Sequence, residues 1–152
     1  MKATKRLMVM MVAALMMICC PIQAYAAEGG ESTFDPDSAG LITSYTHSLS
    51  SGTSRVLLNA SIKASAIMAE IGFKDIKIQK STSSTGSWST YFAPSNQLAT
   101  NTKAHSLSNF LIAVPSGYYY RVQMTLYAKE TGWFFPDSES ITVTTNVVYV
   151  ST

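Results

Sequence analysis

The sequence predicts an all-β domain, an antiparallel β-sandwich of about seven strands that follows an N-terminal signal peptide. Three observations carry this expectation. Beyond residue 40 the apolar residues recur with a period of two instead of 3.6, turn-forming clusters separate the runs, and no stretch of helical period is long enough to build a helical layer. A closed barrel is the competing arrangement.

The leader comes first. Lys2, Lys5 and Arg6 form a charged start, Leu7 to Cys20 is unbroken apolar sequence, and Ala24-Tyr25-Ala26 has the small-x-small pattern that signal peptidase reads. Cleavage is expected after Ala26, giving a signal peptide over 1–26. Pro21 ends the apolar run short of the ~20 residues that a membrane span needs. Met17, Ile18 and Cys19 before Cys20 do not make a lipobox. Both cysteines lie in this leader, so the exported chain is expected to hold no disulfide and no thiolate metal site.

Removing Lys2, Lys5 and Arg6 from eleven basic residues leaves eight against nine acidic ones, a net charge near −1. That balance disfavours nucleic acid as a partner. No membrane association is expected once the leader is gone, and the protein is expected outside the cell. Residues 27–40 read as a flexible acidic lead-in, with Glu28, Glu31, Asp35 and Asp37 among glycine and proline. The domain itself is expected over 41–152.

A weak first strand is expected at Leu41 to Leu49. Arg55 to Ala64 alternates Val56, Leu58, Ala60, Ile62 and Ala64 with mostly polar neighbours. Ala64 to Ile71 has some helical propensity and suits a short helical turn. Ile76 and Ile78 mark the next strand, and the Ser/Thr/Gly cluster from Ser81 to Ser87 turns the chain into a partner around Trp88 to Phe92. Phe110, Ile112 and Val114 mark another, stopped at Pro115-Ser116-Gly117. Tyr118, Tyr120, Val122, Met124 and Leu126 form the strongest run, and Ile141 to Val150, dense in β-branched residues, is the last strand.

Val114-Pro115-Ser116-Gly117-Tyr118-Tyr119-Tyr120-Arg121-Val122 resembles the entry to the sixth strand of fibronectin type III and related immunoglobulin-like domains. The resemblance implies that Tyr120 is a corner tyrosine, its ring in the core and its hydroxyl bonded to backbone near the preceding turn. Together with the leader, Gly86-Ser87-Trp88-Ser89-Thr90 and Gly117-Tyr118-Tyr119-Tyr120-Arg121-Val122 are similar to segments of a family of small secreted Gram-positive bacterial proteins of unknown function. That resemblance implies export and a β fold, and no activity.

Reaction chemistry is not written in the sequence. Nucleophile-elbow, phosphate-loop, dinucleotide and zinc-helix motifs are absent. His47 and His105 are the only histidines, and the abundance of serine makes proximity to either uninformative. Glu70, Asp75, Glu130, Asp137 and Glu139 are candidate acid pairs for glycoside hydrolysis, but solvated charge at strand ends accounts for them. Asp35 to Gly40 begins like a calcium loop and fails at Ala39 and Thr46, so a proline-initiated turn is preferred. No enzyme activity, cofactor or metal is expected.

The aromatic residues carry the functional reading. Lys129 to Glu139 places Trp133, Phe134 and Phe135 side by side in a loop between strands. Either Ser65 to Gly72, with Ile67, Met68 and Ile71, covers them and closes the core, or they stay open and bind a partner. Tyr119, Arg121 and Tyr127 form an outward stripe that suits glycan stacking or cross-strand pairing, and Trp88 suits packing on the sheet or stacking on a sugar. The expectation is a non-enzymatic binding module for an extracellular protein or glycan. A surface component that assembles through its final strand and a small secreted hydrolase are the alternatives.

Overall fold

The strand that begins at Arg55 does not stop at Ala64; it runs for 27 residues, its two-residue alternation interrupted after Ala64 and resumed from Ile76. The computed structural model describes residues 32–34 and 40–152. The expected signal peptide, the remainder of the acidic lead-in before residue 40 and most of the calcium-like segment lie outside the described residues. The strands are β1 (Ser32–Phe34), β2 (Ile42–Gly52), β3 (Arg55–Ser81), β4 (Ser89–Phe92), β5 (Gln97–Ala113), β6 (Tyr118–Glu130), β7 (Ser138–Thr144) and β8 (Val148–Val150). All pairings are antiparallel, and all eight strands belong to one sheet.

β3 organises that sheet. Its first part, to Lys63, lies between β2 and β5; Met68 to Phe73 lies between β5 and β6; Ile78 to Lys80 lies between β6 and β4. The two sheets expected from the sequence are therefore two parts of one antiparallel sheet, curled into an open half-barrel. The expected helical turn at Ala64 to Ile71 is extended instead. Its backbone groups are used by β5 and β6, and ladder pairing overrides a weak helical preference.

Register shifts on β3 between Lys63 and Met68 and between Lys74 and Lys77 supply the bend, as bulges do. Asp75 (φ 49°) sits in the second of these. Gly72 adopts φ +151°, and a Cβ there would overlap the Gln97 carbonyl oxygen of β5, so only glycine allows this close approach. The face turned inward carries Val56, Leu58, Ile62, Met68, Ile71, Phe73, Ile76 and Ile78 from β3, which meet Tyr120, Val122, Met124, Leu126 and Ala128 from β6.

Two further expectations change in extent. The strand marked by Phe110 and Ile112 is the end of the 17-residue β5, whose earlier half is too polar to read as a half-buried strand. The final run, Ile141 to Val150, breaks at residues 145–147. There Thr145 donates its N–H to the Val122 carbonyl (2.9 Å) while its hydroxyl accepts from Val122 N–H (3.0 Å). One residue thus satisfies both backbone groups of Val122.

The break frees Asn146 to reach β2. Its Oδ1 accepts from Leu49 N–H and its Nδ2 donates to Leu49 O, both at 2.8 Å, imitating a strand partner. Glu139 Oε2 accepts from Ile42 N–H, also at 2.8 Å. Both bridges span 97 residues of sequence, so β2 and the β7–β8 segment lie side by side in matched register, joined by side chains.

Tyr120 behaves as the corner tyrosine that the resemblance implied: its ring is fully buried and its hydroxyl donates to the Pro115 carbonyl at 2.7 Å. Burial pushes the phenol up to about 12, with Tyr91 and Tyr118 adding to the shift. Tyr120→Phe, which orphans that carbonyl, is expected to cost about 1–2 kcal/mol in urea denaturation. Gly72→Ala is expected to destabilise by more than about 1 kcal/mol, since the positive φ and the overlap act together.

Candidate functional site

β6 and β7 form a hairpin whose base is closed by Glu130 N–H donating to the Asp137 carbonyl at 2.9 Å. Residues 131–136, Thr-Gly-Trp-Phe-Phe-Pro, form its tip. Glycine and proline stop the ladder here, since one weakens a strand and the other cannot donate to it. Trp133, Phe134 and Phe135 are 98%, 88% and 95% exposed. The covering by Ser65 to Gly72 that the sequence allowed does not occur, because those residues are committed to β3 and turn Met68 and Ile71 into the core.

The tip is tied to β3 at one point, where Thr131 Oγ1 donates to the Ile67 carbonyl at 3.3 Å. Ile67, 57% exposed, extends the apolar surface. A cavity of about 340 Å³ lies at the foot of the loop, lined by Ala69, Trp133 and Pro136 and by the polar Lys129, Glu130 and Thr131. Phe135 has φ 52°, a conformation in which a bulky residue is strained. Leaving three such side chains in water forfeits about 1.5–3 kcal/mol each relative to burial. Strain and exposed apolar area at one tip point to a surface kept for contact.

The outward stripe is engaged within its own sheet. Tyr119 packs on Tyr149 with ring centroids 4.9 Å apart, and the Lys74 ammonium lies 3.1 Å from the centre of the Tyr127 ring. Arg121 lies 4.4 Å over the Trp88 ring and its Nε donates to Gln79 Oε1 at 2.7 Å. Cross-strand pairing accounts for Tyr119, Arg121 and Tyr127, and packing over the sheet accounts for Trp88. The structure does not bring this group together with the Trp133 tip.

Ile67, expected among the residues that cover the aromatic tip, lies exposed beside it. Sequence reasoning missed a cleft of about 420 Å³ between Tyr91 and Phe92 of β4 and Phe110 to Ala113 of β5, edges that come together only because β3 curls. The strand segments are expected at Trp88 to Phe92 and at Phe110 to Val114, but nothing local signals their meeting. The final run, proposed as an edge for assembly, is broken, and its Asn146 side chain is spent on β2.

Of the carboxylates weighed for chemistry, Glu70, Glu130 and Asp137 lie about the base of the β6–β7 hairpin, apart from Asp75. Glu139 is held by Ile42 N–H, and Asp75 lies at a bulge whose N–H donates to Asn96 Oδ1 at 3.0 Å. Among the described residues no group of three or more His, Cys, Asp or Glu is placed to hold a metal ion. His47 is buried on β2 beside Tyr45, its Nδ1 without a hydrogen-bond partner, and desolvation lowers its pKa below 6.5. His105 packs against Phe73, 5.8 Å between centroids. No family model, curated protein or solved structure matches the chain.

Trp133→Ser with Phe134→Ser is expected to leave unfolding free energy within about 0.5 kcal/mol of the parent, since no burial is lost; a thermal melt checks this. Because the folded-state pKa of His47 is depressed, its contribution is fully present above pH 6.5 and is lost as pH falls through the lowered value. Melts from pH 8 downward are expected to show a loss of stability beginning near 6.5, and His47→Leu to flatten that segment.

Proposed function

We propose that the chain is exported and acts outside the cell as a non-catalytic binding module, with Trp133, Phe134 and Phe135 as its contact residues. The observation that carries this reading is the near-complete exposure of three consecutive aromatic side chains on a hairpin rooted in the sheet core. Aromatic side chains give large contact area for few rotatable bonds, which is why they dominate binding surfaces. The leader sequence supports export. The Tyr120 hydroxyl on the Pro115 carbonyl supports an immunoglobulin-like relationship, and the G-S-W-S-T and G-Y-Y-Y-R-V segments support kinship with small secreted bacterial proteins.

The stripe of Tyr119, Arg121 and Tyr127 with Trp88 is assigned to sheet stability, because each member already has a partner on the same sheet. A binding assay on intact cells, wall polymer and a glycan array separates the two surfaces. Retention of the parent is expected to be lost in the Trp133→Ser, Phe134→Ser double variant. Tyr127→Ser is expected to lower stability and leave retention intact. Retention unchanged in the double variant overturns the assignment.

A further inference from the structure

We infer that the surface met by the Trp133 tip is a lipid bilayer interface, into which the loop inserts without spanning it. This rests on the binding-module reading and names its partner. The first support is the distribution of charge. Residues 131–136 contain no ionisable side chain, and neither do residues 64–69 of the neighbouring β3 segment, to which Thr131 is bonded through Ile67. The tip and this β3 segment are therefore free of charge. They are bordered by Lys63 and Glu70 on β3, by Lys103 on the facing part of β5, and by Lys129, Glu130 and Asp137 on the hairpin.

Charged side chains are excluded from the depth at which apolar groups enter a bilayer, and tryptophan is enriched at that boundary. A neutral aromatic cap ringed by charges of both signs matches this division of depth. The second support is area. Three aromatic side chains bury about 450–750 Å² if fully covered, short of the ~800 Å² per partner of a standard protein interface. A bilayer requires no complementary pocket, and it accepts rings that project separately.

The ring of charges also sets the lipid. Basic and acidic side chains in near balance give no net attraction to anionic headgroups, so zwitterionic phosphatidylcholine is expected to suffice. This differs from the sequence expectation of no membrane contact, which considered spanning segments and net charge alone. No helix among the described residues is long and apolar enough to cross a membrane, and the loop is not required to cross.

The test is partition of the purified protein into phosphatidylcholine vesicles, with and without phosphatidylglycerol. A Trp88→Phe background leaves Trp133 as the only reporter indole among residues 27–152. The expected result is co-sedimentation with both vesicle types, a blue shift of Trp133 emission, quenching by brominated acyl chains, and no weakening with salt. Trp133→Ser and Phe135→Ser are each expected to lower the partition coefficient about tenfold or more. Melts confirm that these variants are folded.

Absence of partition into either vesicle overturns the inference. So does partition that requires phosphatidylglycerol and is abolished by salt, or partition unchanged by the loop variants. If vesicles remain unbound while retention on a protein or glycan surface still depends on Trp133, the lipid assignment fails and the binding module stands. If neither depends on Trp133, both fail.

Discussion

A strand of 27 residues that turns its apolar side chains to one side of the sheet, with bulges between the runs, is the constraint from which the rest of this structure follows. Fully extended it would reach about 90 Å, far beyond a domain of this size, whose radius of gyration is about 13 Å. The strand must bend, and burial of its apolar side requires that it bend toward that side. The bulges after Lys63 and Lys74 and the bare backbone at Gly72 make this possible. Curling brings β2 opposite the β7–β8 segment and β4 opposite the end of β5. It leaves two seams, which lack the main-chain ladder of the rest of the sheet.

The two seams are treated differently. Asn146 and Glu139 join the first by side-chain hydrogen bonds to β2, so the broken final strand is part of the closure. The second remains a cleft lined by Tyr91, Phe92 and Phe110. The same curl determines the fate of the β6–β7 tip. A loop packed back on the sheet would have buried Trp133. Here the adjacent stretch of β3 turns Met68 and Ile71 inward, which leaves Ile67 and Ala69 beside the tip.

What could be read from the sequence was whatever depends on local order. Val56 to Ala64 and Tyr120 to Leu126 announce their buried faces because each lies within an unbroken two-residue repeat. The Tyr120 corner follows from a short turn five residues away. The continuity of β3 was not legible, because Ala64, Met68 and Ile71 are spaced four and three apart, which reads as a helical face. That spacing is what a strand shows when a bulge shifts its register. The polar half of β5 was hidden because both its faces are largely polar, and Asn101, at positive φ, disturbs its alternation. Exposure of Trp133, Phe134 and Phe135 could not be decided locally, since three adjacent aromatic residues suit a core cap and a contact tip equally well.

The claim on which the functional account depends is that nothing in the folded chain covers the Trp133 indole. Collisional quenching by acrylamide in a Trp88→Phe background, with no lipid or partner present, measures this directly. Quenching of folded protein equal to that of a short unstructured peptide containing Thr131 to Pro136 is the predicted result. An indole shielded in the folded state and released on denaturation would contradict it.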